Sequence, residues 1–392
     1  MRVLHVIPSL SPTSGGPSFA LPAMARALLP HEIRLIAATT DDDGPGRHLS
    51  RVTHGVETPQ DGWSAMYFPK QTEFYKVSLP LRSWLRAHVA EFDVVHIHAV
   101  FSFASLVAGH AAAAQGVPYI VRPLGVLNRW GMENRRKLVK ALSFRLLELP
   151  MLKKAAAMHY TSRMEMEDAA RFGLTNLQRV IPIGIDLAPF DSLPPRSVFS
   201  AHFPETAATR NLLFLSRIDV KKGIDLLIDT FAKISPTQPN TRLIICGDGD
   251  PALIGKLKAM ATAGGVGDRI TWAGQVTGEL RLAAFSAAEL FVLPSHSENF
   301  GIALLEAMAA GLPCISTDQV ALAVDAALEN AVQLAARDPE AIAEAVCSLL
   351  SSEKRKRDLS ASAFALTGRD YSLPAMGVKL HQLYHEVASI AA

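Results

Sequence analysis

The sequence predicts an α/β protein made of two tandem halves, each built on a parallel sheet. Short β-branched runs alternate with Ala- and Leu-rich stretches of helical period, the pattern of βα units. The alternation lapses around residues 187–211 and then restarts. The length, 392 residues, suits two domains of roughly 100–200 residues each.

In the first half the expected strands are Val3–Ile7, Arg34–Ala38, Val94–His98, Tyr119–Arg122, Met158–Thr161 and Val180–Pro182. Helical stretches Ser18–Leu29, Leu79–Ala90 and Ser102–Gln115 lie between them. Pro189, Pro194 and Pro195 interrupt any period and read as a linker. Beyond it come strands Leu212–Leu215, Arg242–Cys246, Ile270–Trp272, Leu290–Leu293 and Cys314–Ser316. They alternate with helices Gly223–Ile234, Ala252–Ala263, Glu279–Ala287 and Phe300–Ala309, and a helical tail runs from Ala375 to Ile390. The expected division is 1–190 for the first domain, 191–210 for the linker and 211–371 for the second domain, with 372–392 returning to the first.

Apolar residues make up 49% and charged residues 19%, enough for large cores and unlike a disordered chain. A net charge of +2 supplies no clustered positive excess for nucleic acid. Cys246, Cys314 and Cys347 are scattered in apolar runs, with neither disulfide nor metal spacing, which fits a reducing compartment. The apolar run at Val3–Ile7 is too short for a signal peptide. Ala99–Val121 is too interrupted by Ser, Gly, His and Pro to span a bilayer and reads as a buried helix followed by a strand. A soluble, cytoplasmic protein is expected.

In open parallel sheets ligands bind outside the carboxyl ends of the strands, so the strand–loop–helix junctions carry the candidate chemistry. Ser14-Gly15-Gly16-Pro17-Ser18 offers a close backbone approach and a helix N-terminus, but not a dinucleotide fingerprint. In Asp93-Val94-Val95-His96-Ile97-His98, alternation puts His96 and His98 on one face, with His98 at the strand end. No third ligand lies nearby in sequence, which argues against a metal. Arg217 and Lys222 flank the loop that opens the next helix, a fork and a point charge suited to a diphosphate. Gly247-Asp248-Gly249-Asp250-Pro251 reads as a tight turn rather than an Asp-x-Asp cation site, and Asp41-Asp42-Asp43 as a solvated loop. The most informative stretch is Ser295–Pro313, with Glu298 and Glu306 eight residues apart. On a continuous helix that spacing is ~12 Å, too long for an acid/base pair but fitting the length of a nucleotide sugar. Glu306, among Leu304, Leu305 and Met308, needs a partner for its carboxylate.

Taken together, Ser216–Asp225, Gly247-Asp248-Gly249, Asp93–His98, Thr161-Ser162 with Glu165, and the Glu298–Glu306 segment resemble the signature of glycosyltransferase family 4, in order over most of the chain. The resemblance implies a GT-B fold: two Rossmann-like domains facing across a cleft, the C-terminal helix crossing back to the first. It implies a retaining hexosyltransferase using a UDP- or GDP-linked sugar, without cofactor or essential metal. The acceptor would be a glycan or a lipid-linked molecule in cell-surface polysaccharide or glycolipid assembly. By position, Arg217 and Lys222 would hold the diphosphate, and Glu306 the ribose. Glu298, Asn299, Phe300 and Gly301 would hold the donor sugar, His98 would sit at the reaction centre, and Gly16 would let the first loop close. Asn299 stands where the family often has Gly, and Ile183 where it has Asn. The usual Gly-Gly-x-x-E is absent from Ser316–Leu322, which leaves the sugar open. A GT-B nucleotide-sugar epimerase and a non-catalytic sugar-binding protein are the alternative functions. Glu133–Arg145, basic and partly amphipathic, reads either as a solvated helix or as a contact with anionic lipid on the inner face of a membrane.

Overall fold

The computed structural model describes residues 1–14, 16–128 and 142–391. They form two compact units: 1–184 together with 373–392, and 185–372.

The first unit holds an eight-stranded sheet of order β3-β4-β2-β1-β5-β6-β7-β8. Its strands are β1 (Arg2–Ser9), β2 (Arg34–Thr40), β3 (Glu57–Pro59), β4 (Ser64–Phe68), β5 (Val94–His98), β6 (Tyr119–Arg122), β7 (Ala157–Tyr160) and β8 (Leu177–Val180). All are parallel except the edge strand β3, which runs antiparallel to β4. Both faces are covered, as a parallel sheet requires. On one face, Leu4, Val6, Val95 and Ile97 pack with Leu81, Leu85 and Ala108 of the crossover helices. On the other, Val3, Ile7 and Val94 meet Leu21, Met24 and Leu28 of the helix Gly16–Leu28, and Met376, Leu380, Leu383 and Tyr384 of the helix Leu373–Ala391. The C-terminal helix is thus an integral layer of the first unit.

The second unit holds a six-stranded, all-parallel sheet, β11-β10-β9-β12-β13-β14. Its strands are β9 (Arg210–Leu215), β10 (Thr241–Cys246), β11 (Ile270–Gly274), β12 (Leu290–Leu293), β13 (Cys314–Thr317) and β14 (Gln333–Ala335). This is the 3-2-1-4-5-6 order of a dinucleotide-binding sheet, with the topological switch between β9 and β12. Phe214, Ile244, Ile245, Phe291 and Val292 are wholly buried along it.

The stretch expected as a linker, 191–210, belongs instead to the second unit. Pro195 stands at the N-cap of a helix, Arg196–His202, whose Phe199 is fully buried and which packs on the helix Gly278–Ala287. The Arg196 guanidinium donates to the carbonyl oxygens of Thr206 and Thr209. The prolines set helix entry rather than a loose connection. The chain passes between units at 184/185 and 372/373, where the Ile185 amide donates to the Tyr371 carbonyl, 2.9 Å. Ala99–Val121 folds as the helix Phe103–Ala114 and leads into β6. Among the described residues no helix is long and apolar enough to cross a membrane.

Candidate active site

In the second unit the switch point brings the loops after β9 and β12 together. Asp219 caps a short turn, Val220–Lys222, by accepting from the Lys221 amide at 2.9 Å. The Lys221 carbonyl in turn accepts from the His296 amide, 2.7 Å. Gly223 follows at φ +66°, and a Cβ there would stand 2.0 Å from the Pro294 carbonyl oxygen. Only glycine lets the two loops close to this distance. The contact delivers the Lys222 ammonium to the Glu298 carboxylate as an ion pair. Arg217, exposed in the same loop after β9, lines a cavity of about 470 Å³ with Asp219 and with Asp248, Gly249, Asp250 and Lys256, which follow β10.

The Asp-x-Asp segment is a turn. Asp248 accepts from the Gly249 amide at 2.8 Å, and Asp250 caps the helix Pro251–Ala263 through the Ala252 amide at 2.9 Å.

Glu298 and Glu306 do not share a helix. The helix is Ile302–Ala309, and Gly301 at φ +104° turns the chain into it. Glu298, Asn299 and Phe300 form the preceding loop, tied to the loop after β13 where the Glu298 amide donates to the Gln319 carbonyl, 2.9 Å. The ~12 Å helical separation therefore does not apply. Glu306 is 9% exposed and ion-paired to Arg281 of the helix Gly278–Ala287. Burial pushes its carboxyl pKa up, and the Arg281 guanidinium pulls against that rise. Arg281 is the partner that the apolar setting of Glu306 demanded, but nothing in its own neighbourhood of the sequence marked it.

In the first unit, His98 ends β5 but is only 1% exposed. β1 pairs His5 beside His96, so the third histidine missing from the local sequence comes from a neighbouring strand. His5, His96 and His98 hold ligand nitrogens within 4.8 Å of one another. Those nitrogens are engaged in hydrogen bonds with each other, with Tyr384 and with His159. Arg122, beside His98 on β6, is 2% exposed, and its Nε has no hydrogen-bond partner among the described residues. Burial lowers its pKa to about 10. Such a charge opposes both a bound cation and protonated histidine. Burial first, and Arg122 second, push His5 and His159 down to about 3. His96 and His98 also lie well below the usual histidine range, with burial the leading cause.

The Thr161-Ser162-x-x-Glu165 segment has a positioning role. Ser162 caps the helix Arg163–Ala170. The buried Glu165 carboxylate accepts from the Thr161 amide (2.7 Å) and hydroxyl (2.8 Å) and from the Gly125 amide (2.6 Å), tying down the loop after β6. Asp41 and Asp42 are not solvated. Asp42 is fully buried and paired with Lys70 and Lys76. Gly16 starts the first helix. Neighbouring Gly15 and residues 133–141 of the expected basic helix lie outside the described residues.

Residues 15–184 match the family described as "Glycosyl transferase 4-like domain", and residues 201–365 the family "Glycosyl transferases group 1". The chain belongs to the group 1 glycosyltransferases. Similar curated members include a D-inositol 3-phosphate glycosyltransferase of Segniliparus rotundus, 30% identical over 48% of this chain and 43% of that one. Another is a phosphatidyl-myo-inositol mannosyltransferase of Mycobacterium leprae, 31% identical over 53% of this chain and 54% of that one. The chain spans about half the length of the curated relatives it matches. Among solved structures, the sucrose-phosphate synthase of Thermosynechococcus elongatus has a TM-score of 0.77 at 20% identity, covering all of both chains. Anabaena HepE in complex with UDP-glucose has a TM-score of 0.75 at 17% identity over the same extent. At these identities the likeness concerns the fold, which is GT-B: two Rossmann-like sheets, with the C-terminal helix of this group 1 glycosyltransferase packed on the first.

Proposed function

We propose that this protein transfers a hexosyl unit from a nucleotide-diphospho-sugar to an acceptor hydroxyl with retention of anomeric configuration, the second unit taking the donor and the first the acceptor. One observation carries the reading: at the switch point of a 3-2-1-4-5-6 sheet, Lys222 and Glu298 pair across loops held together by Gly223, and Arg217 lines a cavity beside the same β9 loop. Charge develops on the departing diphosphate, and preorganised cations stabilise it without reorganisation. Lys222 is already oriented by Glu298, so it meets the anion with little further ordering. Arg217 supplies the planar fork. Glu306, held by Arg281, is the acceptor for the ribose hydroxyls. Glu298 and the Asn299–Gly301 loop take the donor sugar, and His98 stands at the reaction centre. Gly16 opens the helix over which the first loop closes. With two cations supplied by the chain, no metal is needed to neutralise the leaving group. The curated relatives named above, which by their names act on inositol phosphate and phosphatidylinositol, support an acceptor in glycolipid or surface-polysaccharide assembly.

Thermal-shift titration with UDP-, GDP- and ADP-sugars tests the donor class. A stabilisation of about 2.7 kcal/mol is expected at a hundredfold excess over Kd, from one nucleotide series and unchanged by EDTA. With that donor, the product glycoside should keep the donor's anomeric configuration by NMR. Absence of any shift with all three series removes the nucleotide-sugar reading, and loss of the shift in EDTA removes the metal-free one.

Contact with an anionic membrane belongs to the same proposal. Leu142, Leu146 and Leu147 are 61%, 63% and 45% exposed, and Arg145 among them is exposed too. Apolar side chains beside a cation suit an interfacial helix. The protein is expected to float with phosphatidylserine vesicles at low salt and to release them at 0.5 M salt. Equal behaviour with neutral vesicles, or no flotation at low salt, overturns this part.

A further inference from the structure

Five buried side chains of the first unit form one continuous hydrogen-bonded chain. His159 Nε2 lies 2.9 Å from the Ile181 carbonyl oxygen. His159 Nδ1 lies 3.2 Å from His96 Nε2, and His96 Nδ1 is 2.9 Å from the Tyr384 hydroxyl. The same hydroxyl is 3.0 Å from His5 Nε2, and His5 Nδ1 is 2.9 Å from His98 Nε2. The members come from β7, β5, the C-terminal helix and β1, and each is at most 1% exposed.

A carbonyl oxygen only accepts, so His159 Nε2 must carry the proton. A neutral imidazole has one N–H, so His159 Nδ1 is bare and must accept from His96 Nε2. By the same step His96 Nδ1 is bare and accepts from the Tyr384 hydroxyl. Having spent its one proton, the Tyr384 oxygen can only accept, from His5 Nε2. His5 Nδ1 is then bare and accepts from His98 Nε2. The reverse order would require a doubly protonated ring somewhere in the chain, beside the wholly buried Arg122 guanidinium.

We propose that His159, His96, Tyr384 and His5 form a one-way hydrogen-bond chain, anchored on the Ile181 carbonyl, that fixes His98 as the Nε2–H tautomer with a bare Nδ1. They are positioning residues, acting on a ligand only through His98. The consequence is chemical selectivity. At the carboxyl end of β5, where an open parallel sheet meets its ligands, His98 Nδ1 accepts a hydrogen bond from a hydroxyl. It cannot donate one to a phosphate or carbonyl oxygen. That consequence rests on the proposed function, in which His98 faces a sugar; the tautomer does not.

The test is two-bond ¹H–¹⁵N correlation NMR of the full chain at pH 7 without donor or acceptor, with ring signals assigned by single His→Gln replacements. All four rings are expected to be neutral, each with its proton on Nε2. The polarity also predicts an asymmetric response to Tyr384→Phe. His159 and His96, upstream and still anchored on Ile181, keep their pattern, which also reports that the variant is folded. His5 has lost its acceptor, so it and His98 lose the single-tautomer pattern. Any of the four rings protonated on Nδ1 in the native protein, or an unchanged His98 pattern in Tyr384→Phe, overturns the proposal. Because no substrate is present, failure here leaves the transferase reading standing, and failure of that reading leaves this result standing.

Discussion

Arg217→Ala is expected to slow sugar transfer by roughly 10²–10³-fold, the cost of removing one preorganised stabiliser of developing charge. Arg217 is exposed at the rim of its cavity and carries no packing role, so the variant should fold normally and the loss should be one of function. The leaving diphosphate gains charge as the glycosidic bond breaks, so the loss should fall mainly on kcat, with a smaller rise in the KM for donor. Arg217→Lys should recover only part of the rate, because an ammonium restores charge but not the two-pronged geometry. Initial rates against donor concentration separate these outcomes. A change confined to KM would mean that Arg217 grips donor and transition state equally. An unchanged rate would remove it from the diphosphate site.

The sequence carried the framework well because that framework is written locally. The strands that seed each sheet are buried on both faces and rich in β-branched and other apolar residues, so β1, β5, β6, β9, β10 and β12 stood out as runs. The edge strands β3 and β14, and β4 beside β3, did not. Glu57–Pro59 and Gln333–Ala335 are short and only part-buried, and an edge strand needs no apolar run. The prolines before Arg196 were misleading for a related reason: proline breaks a helix and also begins one, and only the burial of Phe199 shows which.

The site was half legible. Lys222 and Glu298 fall in the loops after β9 and β12, which meet at a switch point, and the two side chains pair there; Arg217, in the same loop as Lys222, lines a cavity with the loop after β10. What sequence distance concealed were the partners. Arg281 lies on a different helix from Glu306 and reaches it only because both helices flank the same end of the sheet. The histidine cluster was concealed in the same way: His5, His98, His159 and Tyr384 are strung over almost the whole chain and converge through strand register and the returning helix. A buried polar group announces that it needs a partner; it does not say where in the chain that partner is.

Glu306→Gln is expected to separate binding from stability. Glu306 is among the most buried carboxylates of the second unit, and its pKa lies above the usual range because burial outweighs its Arg281 partner. The sign follows from linkage. A carboxyl whose folded-state pKa is raised binds its proton more tightly in the folded than in the unfolded chain, so stability falls as pH rises from the ordinary carboxyl range through the folded value, and the penalty persists above it. Gln keeps the shape without the charge. Arg281, whose side chain is 37% exposed, can stay hydrated when its anion is gone. At pH 7 the variant should therefore be as stable as the native protein or more so, with the difference fading near pH 4, where Glu306 is protonated in both states. Nucleotide binding should move the other way. A charged acceptor for hydroxyl donors contributes about 1.5–3 kcal/mol, so the affinity for the nucleoside diphosphate that gives the largest thermal shift should fall roughly 10–100-fold. Urea melts at the two pH values and calorimetric titration read the two effects independently. A variant clearly less stable at pH 7 would mean that the Arg281 pair outweighs burial. Undiminished nucleotide affinity would take the ribose contact away from Glu306 and leave its ion pair a structural one.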